Sequence, residues 1–130
     1  ELKEKYPNIE FLGWQNKEQI NEKLKEARAL IFPTLWYEGS PLTVPEVQAY
    51  GIPCIITDCS SATDDIIHGK NGEIIEANID ELTLAINRFK EDKYIKDLSN
   101  NTYQLFNDDR GSEQYYVNNL IKIYENSEYR

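Results

Sequence analysis

Two carboxylates, Glu38 and Glu46, stand with seven residues between them in the stretch PTLWYEGSPLTVPEVQAYGIPCI, Pro33 to Ile55. Gly39, Pro41 and Pro45 crowd the gap, and apolar runs lie on either side. A carboxylate can accept two hydrogen bonds from a vicinal diol. Gly39 lets the backbone bend sharply or approach a ligand closely. A helix beginning between Pro41 and Val44 would turn free N–H groups and the positive end of its dipole toward an anion such as phosphate. A phosphate flanked by two diol-binding acids describes a nucleotide sugar, with ribose at one acid and hexose at the other. A purely structural role accounts for the same residues. Thr43 to Glu46, TVPE, spells a capping box in which Glu46 only satisfies the Thr43 amide, and Pro45 is tolerated in a first turn. Glu38 would then be a solvated loop acid.

The elements that must position these residues alternate. IEFLGW, Ile9 to Trp14, reads as a strand after a Pro-Asn turn. Asn16 caps a helix, with Gln19 completing a capping box and Ile20, Leu24 and Ala27 on one face. ALIFPT, Ala29 to Thr34, reads as a buried strand, and the helix after it closes at Tyr50-Gly51 with Pro53 beyond. CIITD is the next strand, ATDDIIH a short helix, and GEIIEA a fourth strand after the turn HGKNG. Asp80 is expected to cap a helix faced by Leu82, Ala85, Ile86 and Phe89. Two more helices follow, Tyr94 to Phe106 with Ile95, Leu98 and Leu105, and Ser112 to Glu125 with Val117, Leu120, Ile121 and Tyr124. Strands alternating with helices predict an α/β domain around a parallel sheet. Ligands of such sheets bind outside the carboxyl ends of the strands. This predicts that Glu38, Gly39 and Thr43 gather there, near Gly13 and Asp58.

Bulk properties narrow the class. A chain of 130 residues suits one domain, and 40% hydrophobic with 28% charged residues is ordinary for a globular protein. The net charge of −9 argues against nucleic acid and anionic membranes as partners of this segment. No apolar run approaches the roughly 20 residues that span a bilayer, and no signal-peptide pattern is present. Cys54 and Cys59 read as free thiols in a reducing compartment, Cys54 as a small core residue. There is no methionine, and the opening reads as the end of a helix, as expected of a segment of a longer protein.

The central stretch closely resembles the signature of the retaining glycosyltransferases of group 1, enzymes of the GT-B fold with two Rossmann-like domains. The matches fall at Pro33, Glu38, Gly39, Leu42, Glu46, Ala49, Gly51, Pro53 and Ile55. NIEFLGW resembles the family's preceding strand and DDIIHGKNGEII the following one, while IDELTLAINRF and the last helices match in pattern. Ser40-Pro41, Pro45 and the serine turn CSSATDD depart from the family pattern, and either Asp64 or Asp65 stands where the family has a glutamate. The resemblance implies that residues 1–130 are the nucleotide-sugar (donor) binding part of the C-terminal domain. It implies that Glu38 lies at the sugar or phosphate end as the catalytic acid and that Glu46 holds the ribose hydroxyls. Backbone amides around Ser40, Pro41, Leu42 and Thr43 would meet the diphosphate, and Trp14 and Gln15 would lie near the base. The reaction implied is transfer of a sugar, with retention, from a nucleotide-diphospho-sugar to a glycan or lipid-linked acceptor held by the N-terminal domain. No cofactor and no obligatory metal are implied, and the setting is polysaccharide or glycoconjugate assembly in the cytoplasm or at the inner face of the membrane. The segment alone is expected to be inactive, because the family's basic diphosphate ligands and its acceptor domain lie outside it. Its incomplete sheet would expose apolar edges through which another chain could associate.

Two other readings use the same fold: a nucleotide-sugar epimerase, which would bring other catalytic acids and histidines, and a non-catalytic α/β module that binds a partner protein. His68, in a glycine turn, reads as a surface residue. Trp36 is open between packing and stacking on a base or sugar, and Trp14 leans toward packing.

Overall fold

The computed structural model describes residues 2–107 and 113–126. The elements are α1 (Leu2–Lys5), α2 (Lys17–Glu26), β1 (Leu30–Phe32), α3 (Thr43–Gln48), β2 (Cys54–Thr57), a 3₁₀ turn (Ser61–Asp65), β3 (Gly72–Ile75), α4 (Ile79–Arg88), α5 (Asp92–Leu105) and α6 (Glu113–Asn126). The strands form one parallel sheet in the order β1-β2-β3. Leu30 pairs with Cys54, and Cys54 with Gly72. The fold is therefore the α/β class expected, a Rossmann-like parallel sheet flanked by helices.

β2 is the centre because CIIT is apolar on both faces, as a strand covered on both sides must be. All four of its residues are buried. Cys54 and Ile56 join Val44, Val47, Ala62 and Ile66 on the α3 side. Ile55 joins Ile75, Ala85, Phe89, Ile95 and Leu98 on the side of α4 and α5. Burial pushes the Cys54 thiol up to about 12, so it stays protonated as a small core residue. Cys59 is half-buried, and both cysteines are free.

Gly72 begins β3 under the carbonyl of Cys54. A Cβ there would stand 2.4 Å from the Cys54 oxygen and 3.2 Å from Cδ1 of Ile66. Gly72→Ala is expected to destabilise the protein by about 3 kcal/mol, the scale of overpacking against an unyielding backbone. Urea unfolding of the variant checks this, and a loss below about 1 kcal/mol would defeat the packing account.

Several expectations need correction. Residues 9–14 form no strand. Ile9, Phe11 and Leu12 are exposed, and Gly13 takes the left-handed conformation at φ 67°. A strand exists only through a paired neighbour, and among the described residues none pairs with this run. β1 is the sheet's edge rather than a buried strand, with Ile31 43% exposed. The helix after β3 is capped by Asn78, not Asp80: Asn78 Oδ1 accepts from the Glu81 amide at 2.9 Å, and Asp80 lies in the first turn. The helix read from Tyr94 starts at Asp92. Ser112, the expected start of the last helix, lies outside the described residues. In α6, Val117, Leu120, Ile121 and Tyr124 are exposed rather than buried. ATDDIIH supplies only a 3₁₀ turn, capped by the Ser60 hydroxyl. The α2 capping box forms as read, with Asn16 and Gln19 exchanging bonds of 3.0 and 2.9 Å, but Ala27 lies past the helix end and Ile20 is exposed.

Candidate functional site

β1 ends at Phe32, and the chain then crosses the carboxyl end of β2. Thr57, the last residue of β2, donates its hydroxyl to the Thr34 carbonyl at 2.6 Å. Glu38 makes a parallel bridge with Ser60, and its carbonyl accepts from the Ser61 amide at 3.1 Å. The Ser61 hydroxyl donates to the Gly39 carbonyl. Ser60 and Ser61, in the turn after β2, thus fix the main chain of Glu38 and Gly39 at the strand ends, while the Glu38 side chain takes no part in these contacts. Asp58 is exposed in the same turn.

The start of α3 does not match the Thr43 capping box open in the sequence. Leu42 is the N-cap, with helical backbone angles (φ −62°, ψ −21°) and no side-chain cap bond. Thr43 is then the first helical residue and Pro45 the third. A third-position amide has no partner in the helix, so the missing N–H of Pro45 costs nothing. The first turn is loose: the Val44 amide reaches the Pro41 carbonyl at 3.4 Å, and the regular bond from Glu46 to the Leu42 carbonyl follows at 3.1 Å. Glu46 falls one residue beyond the position that a capping box needs, and its side chain is exposed. Ser40 and Thr43 are exposed, Pro41 is half-buried and Leu42 is 70% exposed. No side chain caps the leading amides of α3.

Packing sets the phase of this short helix. Val44 and Val47 are buried against the sheet, and buried Gln48 donates to the Asp65 carbonyl at 3.0 Å. Asn71 donates to the same carbonyl at 2.9 Å, which ties α3 to the turn before β3. Burial and the neighbouring Asp64 push the Asp65 carboxyl upward. At the same end of the sheet, on the α4 side, a cleft of about 210 Å³ is lined by Pro33, Leu35, Thr57, Ile75, Ile79 and Leu82.

The expected cluster is assembled in part. Glu38, Gly39 and the start of α3 lie together beside the turn that holds Asp58. Trp14 is 97% exposed, and among the described residues Gln15 bonds inside its own loop, to the Leu12 and Trp14 carbonyls. No hydrogen bond or strand pairing ties Gly13 to Gln15 to the Glu38 loop among the described residues. Sequence reasoning missed the serines. Ser60-Ser61 read only as a departure from a glycine turn, yet their hydroxyls cap the 3₁₀ turn and pin Gly39. The signal was present, since a serine before a short helical run is a capping residue. His68 is exposed as read, and its Nδ1 accepts from the Ile74 amide at 3.1 Å. No group of three or more potential metal ligands gathers among the described residues.

A parallel sheet flanked by helices, with an acidic loop pinned at its carboxyl ends, places the chain among the Rossmann-like α/β domains. Residues 2–105 match the family model of the glycosyl transferases, group 1. The chain belongs to this family. It is 38% identical over 104 residues to a lipopolysaccharide 1,6-galactosyltransferase of Salmonella typhimurium, across 75% of this chain and 29% of that one. It is 35% identical over 92 residues to the UDP-Gal:alpha-D-GlcNAc-diphosphoundecaprenol alpha-1,3-galactosyltransferase of Escherichia coli, across 70% of this chain and 23% of that one. The chain thus spans under a third of each relative's length. Its fold matches sucrose-phosphate synthase from Thermosynechococcus elongatus with a TM-score of 0.78 at 19% identity, over 95% of this chain and 32% of that one. That likeness speaks for the architecture alone.

Proposed function

We propose that residues 1–130 form the donor-binding part of a retaining glycosyltransferase. It takes a nucleotide-diphospho-sugar and delivers the sugar to a glycan or lipid-linked acceptor held elsewhere in the full-length protein. The observation that carries the reading is the Glu38–Gly39 segment, fixed by main-chain contacts to Ser60 and Ser61 beside an uncapped α3 from which Glu46 stays free. In this reading the α3 amides and its dipole face the diphosphate, Glu46 accepts from the ribose diol, and Glu38 works at the transferred sugar. Preorganised N–H groups stabilise the charge that grows on the leaving diphosphate, so the site needs no obligatory metal. Trp14 and Gln15 serve the base once ligand and the rest of the protein close over their loop.

Both relatives are named galactosyltransferases, and one name specifies UDP-galactose and a diphosphoundecaprenol acceptor. A UDP-hexose donor and a lipid-linked saccharide at the inner face of the membrane are therefore the first substrates to test. The described residues contain no helix long and apolar enough to cross a membrane. The half-exposed edge of β1 is where a further part of the protein or another chain would extend the sheet. The family match and both relatives favour transfer over epimerisation or a partner-binding role.

A donor screen tests the proposal. The full-length protein is incubated with UDP-galactose, UDP-glucose, UDP-N-acetylglucosamine or GDP-mannose and a lipid-linked saccharide, and nucleoside diphosphate release is followed. One donor is expected to dominate and to give a product with the donor's anomeric configuration by NMR. No release and no nucleoside diphosphate binding with any of them would end the proposal, and an inverted anomer would end its retaining part.

A further inference from the structure

Gly39 is the joint of the proposed donor site. Glu38, which works at the transferred sugar in that reading, stands before it, and Ser40 to Thr43, which meet the diphosphate, stand after it. A glycine gives such a joint more backbone freedom than any other residue. Packing does not call for it: a Cβ at Gly39 would meet nothing within 4 Å among the described residues, and its φ lies outside the left-handed region. Hydrogen bonds restrain it instead, and they converge on one residue. The Ser61 amide donates to the Glu38 carbonyl at 3.1 Å, and the Ser61 hydroxyl donates to the Gly39 carbonyl. These carbonyls belong to the peptide planes on either side of Gly39, so one residue holds both. Two planes held together fix the φ and ψ between them.

We infer that Ser61 is a positioning residue of the transfer reaction: it clamps Gly39 and thereby sets Glu38 against the diphosphate end of the donor. The inference rests on the reading of Glu38 and α3 above and adds the group that holds the two in register. Ser61 is a rigid post for this task. Its neighbours Ser60 and Ala62 are buried, and Ala62 packs in the core with Val44 and Val47. The 3₁₀ turn does not use the Ser61 hydroxyl. Its own bonds run from the Ala62 amide to the Ser60 hydroxyl at 3.2 Å and from the Thr63 hydroxyl to the Ser60 carbonyl at 3.0 Å. α3 likewise has its own anchors, in buried Val44 and Val47 and in the bond from Gln48 to the Asp65 carbonyl. Loss of the Ser61 hydroxyl therefore leaves the turn and the helix in place and frees the joint between Glu38 and α3. A small misplacement of a reacting group lowers the rate steeply.

The test uses the full-length protein with its preferred donor and a lipid-linked saccharide. Steady-state kinetics are measured beside calorimetry with UDP and GDP and a melting curve. Ser61→Ala is expected to lower kcat about five-fold, the scale of one lost hydrogen bond, with donor KM and nucleoside diphosphate affinity within about two-fold of wild type. Ser61→Thr keeps a hydroxyl at an exposed position and is expected to restore most of the rate. In a Glu38→Gln background, Ser61→Ala is expected to cost less than about two-fold further, since the carboxylate that it positions is gone. The inference is overturned if Ser61→Ala turns over as fast as wild type, if Ser61→Thr is no faster than Ser61→Ala, or if the two losses multiply in the double variant. It is also overturned if the loss comes with a lowered melting temperature or a lowered nucleoside diphosphate affinity, which would assign Ser61 to the fold or to the diphosphate. A wild type that turns over no donor and binds no nucleoside diphosphate would strike the donor reading itself and this inference with it, a result distinct from any difference between the variants.

Discussion

Glu38→Gln in the full-length protein is expected to lower donor-dependent turnover ten-fold or more and to leave the fold intact. The substitution keeps the size of the side chain and removes only its charge. Hydrogen bonds to a charged group are worth about 1.5–3 kcal/mol, which corresponds to a ten-fold loss or more. Structural damage is not expected, because the loop is held through the Glu38 carbonyl and the Ser60 bridge rather than through the carboxylate. Glu46→Gln should give a loss of similar size. Its carboxylate is exposed and plays no part in capping α3, so the helix should not notice the change. Steady-state kinetics with the preferred donor, beside a melting curve, decide the matter. Wild-type rates in both variants would remove the diol-binding role, while a lowered melting temperature in Glu46→Gln would return that residue to helix capping.

Arg88→Ala is expected to destabilise the protein by about 3 kcal/mol, more than a surface change would. Glu73 lies in β3 with only 1% of its surface exposed. Its carboxylate accepts from Arg88 Nε at 2.8 Å, from Arg88 Nη2, and from the Tyr94 hydroxyl at 2.8 Å. One side chain thereby joins β3, the end of α4 and the start of α5, where Phe89 and Tyr94 meet edge to face at 5.9 Å. Burial by itself would push Glu73 upward, but the hydrogen bonds from Arg88 and Tyr94 outweigh it and hold the carboxyl below its ordinary value. Burial and the bond to Glu73 push Tyr94 up to about 12. Removing Arg88 strands the acid with Tyr94 alone. Breaking a buried pair costs about 3–5 kcal/mol, and the partly exposed Arg88 places this one at the low end.

The pH dependence has a definite sign. A carboxyl whose pKa is depressed by folding contributes stability above its unfolded value, near 4.3, and loses that contribution as pH falls through the folded value. The cost of Arg88→Ala, measured by urea unfolding, should therefore be full at neutral pH and shrink below about pH 4. A cost that does not change with pH would show that Arg88 acts through packing alone.

The sequence by itself determined whatever rests on short-range chemistry. The capping box of Asn16 and Gln19 formed because both partners lie within one turn. β2 was legible because CIIT is apolar on both faces and only the middle of a sheet covers both. The spacing of Glu38 and Glu46 around Gly39 carried the family, since a motif is legible without knowing how the chain packs. Tertiary structure decided wherever two local solutions compete or the partner is remote. Asn78 and Asp80 are equally good caps, and the burial of Ala85 and Phe89 against the sheet fixed where α4 begins. TVPE spelled a capping box, but the burial of Val44 and Val47 and the bond from Gln48 to Asp65 set the helix one residue earlier and freed Glu46. Residues 9–14 have the composition of a strand, yet a strand is a relation between segments, and without a paired neighbour the apolar run stays unpaired. Glu73 lies deepest in this second category. In GEIIEA it is one acid in an apolar run, and only the fold brings to it an arginine 15 residues away and a tyrosine 21 residues away. A buried charge is stable only where its partners arrive, and their arrival depends on how α4 and α5 close over the sheet.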